Sequence, residues 1–196
     1  MRNVIKVLAI ISILPILLIG FAISIFNSLQ TLDEDTIAAW SNVSNLYERR
    51  AALVPNLVNT VKAYAAHEKT LLTELTEARA KIGSIKIEGS PTAEQLKSLE
   101  QANAQLGGAL SRLLVVAENY PELKSAPLFQ DLMVQLEGSE NRIAVARSAY
   151  IEKIRDYNAA IRKFPNSLIA KPLGLKRKAN FESSNPNVSE TPKVEF

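Results

Sequence analysis

The stretch "RRAALVPNLVNTVKAYAAHEKTLLTELTEARAKI", Arg49 to Ile82, decides the fold, because it keeps a helical pattern in step straight through a proline. Extended back to Trp40, the seam reads Trp40, Val43, Tyr47, Arg50, Val54, Leu57, Val61, Tyr64, Glu68, Leu71, Leu75, Ala78 and Ile82. Its steps alternate three and four without a slip, the repeat of long helices that share a core. Arg50 and Glu68 are the polar exceptions, and each has enough methylene length to hold its head at the seam's edge.

Proline inside a helix removes a hydrogen bond and clashes with the preceding turn, at about 3 kcal/mol, so Pro55 marks either a kink or a junction. The unbroken register favours a kink within one helix. A helix from Leu29 to Ile82 would be about 80 Å long, and the next helix would cover only its far half. The stripe of Leu29, Leu32, Trp40, Val43 and Leu46 then needs cover from the last helix, from a fold-back at Pro55, or from a second copy. A four-segment bundle or a homo-oligomer follows.

Beyond Ile82, "GSIKIEGSPTAE" breaks the pattern, with a turn between Gly83 and Ser90 and a helix start at Ser90 before Pro91 or at Thr92 with Gln95 three residues on. The next helix carries Leu96, Leu99, Asn103, Leu106, Leu110, Leu113, Ala117 and Tyr120 and stops at Pro121. Gly107 and Gly108 weaken it by about 1 kcal/mol each, which predicts a close packing partner there. A last helix, from about Pro127 to Phe164, runs on Phe129, Leu132, Leu136, Ser139, Ile143, Ala146, Tyr150, Ile154, Tyr157, Ile161 and Phe164, with Gly138 at a close contact or slight bend. No strand-like alternation of useful length occurs, so the fold class is all-α.

Toward the N-terminus, "VLAIISILPILLIGFAISIF", Val7 to Phe26, is uncharged over 20 residues. At the helical rise that spans about 30 Å, the thickness of a bilayer's hydrocarbon. A cleaved signal peptide has a shorter apolar region, so a retained signal-anchor is the favoured reading. Arg2 and Lys6 precede the span and no Lys or Arg occurs in the 20 residues after it, which predicts a cytoplasmic N-terminus and a domain outside the cytoplasm. The expected layout is a cytoplasmic segment 1–6, a transmembrane helix 7–26, a helical bundle 27–164, an apolar and basic segment 165–182, and a disordered tail 183–196 of low apolar content.

The chain has 196 residues, a formal net charge of +3 and no cysteine. Near-balanced charge forces no cationic face for nucleic acid, and the absent thiols exclude disulfides and thiolate chemistry. His67 is the only histidine. Without Glu-x-x-His pairs or a second histidine, neither a di-iron carboxylate bundle nor a usual zinc site can be built, and His67 reads as a surface residue. No cofactor, metal or catalytic residue is therefore predicted.

"VPNLVNTVKAYAAHE", "LTEARAK", "LSRLLVVAENYPELKS", "LEGSENRIAVAR", "YNAAIRKFPNSLIA" and the closing "NFE" resemble the LemA family of bacterial membrane proteins, in order and over nearly the whole chain to about Glu182. The resemblance implies a single N-terminal membrane helix and an up-and-down bundle of four-helix type, and it implies no reaction.

The expectation for function is a non-enzymatic scaffold or interaction module at the bacterial cytoplasmic membrane, self-associating or bound to another envelope protein. The alternative is a lipid- or peptide-binding module. Candidate interaction residues are Trp40, Arg50, Pro55 and Asn56 on the first helix, with Glu140, Asn141 and Arg142 on the last. Asn56 and Asn59 could serve backbone groups freed by Pro55, and interhelical ion pairs are the simpler role for Arg50 and "EGSENR". Lys171, Lys176, Arg177 and Lys178 are candidates for contact with anionic lipid.

Overall fold

The computed structural model describes residues 2–87 and 89–181, with side chains from Leu14 onward. The expected tail, 183–196, lies outside the described residues. Among the described residues there are six helices and no strand: α1 (Arg2–Tyr64), α2 (Lys69–Ser84), α3 (Ala93–Ala117), α4 (Pro121–Ser125), α5 (Pro127–Ala160) and α6 (Ser167–Ala170).

The 63-residue α1 passes unbroken through Pro15 and Pro55 and is about 95 Å long at the helical rise. Pro55 lies on the exposed side, so the carbonyl it frees is within reach of water. The expectation of a single helix from Arg49 to Ile82 is corrected here. The chain leaves α1 at Tyr64, reverses over Ala65 to Glu68, and returns as α2 against α1. Of the thirteen seam positions only Tyr64 and Glu68, at the reversal itself, are not buried.

A comparison of magnitudes explains the break. Reversal gives up a few intrahelical hydrogen bonds, each worth about 1 kcal/mol net. It buries Leu71, Leu72, Leu75, Ala78 and Ile82 against the core, and each large apolar side chain gains about 1.5–3 kcal/mol by burial. The seam survives because both helices face the same core, and a repeat in sequence does not record the direction of the chain.

Thr92 starts α3 with a reciprocal capping box: the Gln95 amide donates to Thr92 Oγ1 at 3.2 Å, and the Thr92 amide donates to Gln95 Oε1 at 2.9 Å. The helix ends at Ala117, and α4, opened by Pro121, turns the corner into α5 with Leu123 fully buried. Every seam residue of α5 from Phe129 to Tyr157 is buried.

The result is an up-and-down arrangement of α1, α2, α3 and α5, in which α1 packs against both α2 and α5, and α2 against α3. The 34-residue α5 is about 50 Å long, nearly the length of α1 from Leu29 to Tyr64. It covers the stripe that lacked a partner in sequence: Leu29 and Val43 are 0% exposed. Of the three covers considered, the last helix is the one used. The α2–α3 hairpin reaches down only to the level of Trp40 and Glu48. Below it, Ile25 and Leu29 close with Tyr157, Ile161 and Ala170 into a second, smaller core.

Candidate functional site: a charged layer under an open cleft

Three helices each bring polar side chains to one level of the bundle. Tyr47 and Arg50 lie three apart on α1, Glu100 and Asn103 three apart on α3, and Glu140 and Arg147 seven apart on α5, so each pair shares a helix face. Arg50 Nη1 donates to Asn103 Oδ1 at 2.6 Å and also pairs with the Glu140 carboxylate. Arg147 pairs with Glu100, tying α5 directly to α3. The four charges cancel.

Burial within this layer is uneven. The Arg50 side chain is 5% exposed whereas that of Glu140 is 49% exposed. Burial pulls the Arg50 guanidinium below its ordinary value, and the neighbouring Glu140 opposes that effect. Burial raises the Tyr47 phenol, partly offset by the charge of Arg147. Arg50 Nε and Tyr47 Oη have no hydrogen-bond partner among the described residues, and an orphaned buried polar group costs about 1–3 kcal/mol.

The backbones of α3 and α5 do not close on each other. Between them runs a cleft of about 470 Å³, floored by Arg50 and Asn103 and walled by Gly107, Leu110, Leu114, Met133, Leu136 and Glu140. The expectation of close intrachain packing at the glycines is corrected: a Cβ placed on Gly107, Gly108 or Gly138 meets nothing within 4 Å. These helices carry glycines that their own fold does not require.

Trp40 belongs to a separate site. It lies 5.5 Å from Tyr150 in an edge-on arrangement and 6.4 Å from Phe181, and Tyr150 and Phe181 are 5.7 Å apart. The segment after α6 folds back to make this cluster. Asn158 holds it with two hydrogen bonds to the Lys178 backbone, the Tyr150 hydroxyl donates to the Ala179 carbonyl at 3.1 Å, and the Arg147 guanidinium lies 4.2 Å from the centroid of the Phe181 ring. Lys178 turns inward onto Asp33 at 2.8 Å and onto Thr36. Its charge is thus spent inside the chain, whereas Lys171, Lys176 and Arg177 are exposed.

Of the residues singled out in sequence, the structure brings Arg50 and Glu140 together. Pro55, Asn56, Asn59, Asn141 and Arg142 are exposed and contribute nothing to the charged layer. Sequence reasoning missed Glu100, Asn103 as a polar partner, Arg147 and Phe181. Asn103 carried a signal, as a polar residue on an otherwise apolar seam. His67 is exposed in the α1–α2 turn, and no group of three or more His, Cys, Asp or Glu able to hold a metal occurs among the described residues.

Fold and site together define a helical bundle raised on a long apolar N-terminal helix. Residues 39–196 match the LemA family, and the chain belongs to that family. It is 30% identical to magnetosome protein MamQ 2 of Paramagnetospirillum magneticum, over 92% of this chain and 74% of the relative. Identity to magnetosome protein MamQ of Magnetospirillum gryphiswaldense is also 30%, over 88% and 68% of the two chains. Protein LemA of Metamycoplasma hominis is 25% identical over 73% of this chain and 64% of its own length.

Proposed function

We propose that this LemA-family chain is a non-enzymatic, membrane-anchored interaction module that receives an apolar helical segment of another envelope protein in the α3–α5 cleft. The observation that carries the reading is Gly107 on the wall of that cleft. Gly107 costs α3 about 1 kcal/mol relative to alanine, and among the described residues no atom lies within 4 Å of a Cβ placed on it. Small residues let a second helix backbone approach, Leu114 at 49% exposure supplies an apolar lip, and Arg50 Nε is a buried donor with no hydrogen-bond partner among the described residues.

Membrane anchorage rests on α1, the one described helix long and apolar enough to cross a bilayer. Every large apolar side chain from Leu14 to Ile23 is more than half exposed, so nothing among the described residues covers it. In this reading Arg2 and Lys6 keep the N-terminus in the cytoplasm and the bundle projects from the outer face of the cytoplasmic membrane. A cysteine placed at Val145, 72% exposed, tests the side. Labelling by a membrane-impermeant maleimide without breaching the cytoplasmic membrane is expected, and labelling only after breaching it would reverse the topology.

The cleft is tested in cells with a photocrosslinking residue at Ser111, which lines it. A discrete adduct is expected, and Gly107→Leu, which fills the cleft, should abolish it. An adduct indifferent to that substitution, or none, sinks the reading. Self-association is part of the proposal in altered form. The stripe through Trp40 is closed within one chain, so copies would meet on outer positions such as Val134 and Val145, 68% and 72% exposed. A detergent-solubilised mass that is monomeric, or unchanged by Val134→Glu with Val145→Glu, removes that component.

A further inference from the structure

α1 and α5 run antiparallel at a fixed offset. Arg50 meets Glu140, and ten residues down α1 Trp40 meets Tyr150, ten residues further along α5. Fourteen more positions on each bring Phe164 to about the level of Phe26, the last residue of the strongly apolar stretch Val7 to Phe26. Packing agrees, since Tyr157, Ile161 and Ala170 close over Ile25 and Leu29. The lower end of the bundle therefore sits where α1 emerges from its apolar span.

That end is built unlike the rest of the surface. Ile169 and Ala170 of the α6 turn pack inward, while Phe164, Leu168 and Leu173 stand out at 80%, 64% and 44% exposure. Arg162, Lys163, Lys171, Lys176 and Arg177 are exposed around them. From Asn158 to Phe181 there is no acidic residue. Exposed apolar side chains interspersed with exposed cations along one segment, at the mouth of a membrane span, match the two layers of a bilayer surface: acyl boundary within, anionic phosphate outside.

We infer that this foot docks into the headgroup layer of the bilayer crossed by α1, with Phe164, Leu168 and Leu173 seated at the acyl boundary and the cations on anionic phospholipid. The inference rests on the anchor reading above. It supplies a second attachment, so that the bundle stands in a set orientation and does not swing on a single helix.

The test uses the full chain in nanodiscs and its lack of native cysteine. Single cysteines at Leu18, Leu168 and Val145 carry an environment-sensitive fluorophore, and spin-labelled lipids quench at headgroup or deep acyl level. Expected results are quenching at position 168 by headgroup-level labels, stronger in discs containing phosphatidylglycerol than in phosphatidylcholine alone, and none at 145. The substitutions Lys171→Glu, Lys176→Glu and Arg177→Glu together should remove the phosphatidylglycerol dependence. Quenching at 18 by deep labels with 168 behaving like 145 overturns the docking and leaves the anchor standing. Absence of quenching at 18 overturns both. A label at 168 that is shielded from aqueous quencher yet untouched by lipid labels shows a protein covering the foot, and also defeats the inference.

Discussion

Phe181 packs against both Trp40 and Tyr150, with Arg147 stacked 4.2 Å from its ring centroid while that arginine pairs with Glu100 of α3. One aromatic residue near the end of the described chain thus couples α1, α3 and α5. Trp40 is 4% exposed and is the only tryptophan, which makes it an internal reporter. Phe181→Ala should shift its emission to the red, admit iodide quenching, and cost about 1–3 kcal/mol, less than a fully buried phenylalanine because Phe181 is half-buried. Unchanged emission would mean that the segment after α6 does not hold the cluster closed.

The asymmetry of the Arg50–Glu140 pair predicts an unequal pair of substitutions. Glu140→Gln leaves a guanidinium that is 5% exposed with Asn103 as its remaining partner, and should cost about 2–3 kcal/mol. Arg50→Met leaves a carboxylate that water reaches, and keeps the methylene packing, so its cost should be nearer 1 kcal/mol. Chemical denaturation of the two variants checks the order. The reverse order would show that packing of the arginine stem, and not its charge, dominates at this level.

The seams were legible in sequence because burial selects one face of each helix whatever its direction, and residue after residue from Phe129 to Tyr157 obeys that rule. The reversal at Ala65 to Glu68 was not legible. It needs no glycine, since positive φ among the described residues is confined to Gly89 and Gly174, and the residue that punctuates the pattern, Pro55, is accommodated inside α1. Arg50 and Glu140 stood out as polar types near seams. Their connection to Glu100, Asn103 and Arg147 depends on the offset between helices, which no periodicity encodes, and Phe181 finds Trp40 only after the chain has folded back.

Empty space above Gly107, Gly108 and Gly138 predicts gains in stability. Alanine at each site adds a Cβ that meets nothing, and should raise stability by about 0.5–1 kcal/mol per site, near additively for Gly107 with Gly138. Thermal unfolding of the single and double variants measures this. If the purified chain is stabilised while the Ser111 adduct in cells is weakened by Gly107→Ala, the glycine serves the partner and not the fold. A destabilised Gly107→Ala would instead place an intrachain neighbour over the cleft.

Alkaline pH should unfold the lower bundle through its tyrosines. Burial pushes Tyr150 and Tyr157 up to about 12 from the usual 10, with Asp33 adding to the effect at Tyr157. A phenol whose folded value is raised stays neutral in the fold while the unfolded chain ionises. Its stabilising contribution is therefore whole below pH 10 and is lost as pH rises toward about 12. The loss is on the order of 2 kcal/mol for each group. Tyrosinate absorbance and circular dichroism followed together should change in step, because these phenols ionise as the helices unpack. Tyr157→Phe and Tyr150→Phe should each hold the fold to higher pH, at the cost of the interaction with Asp33 in the first and of the bond to the Ala179 carbonyl in the second. Tyrosinate forming well below the loss of helix would show the lower core open to water and the burial argument wrong.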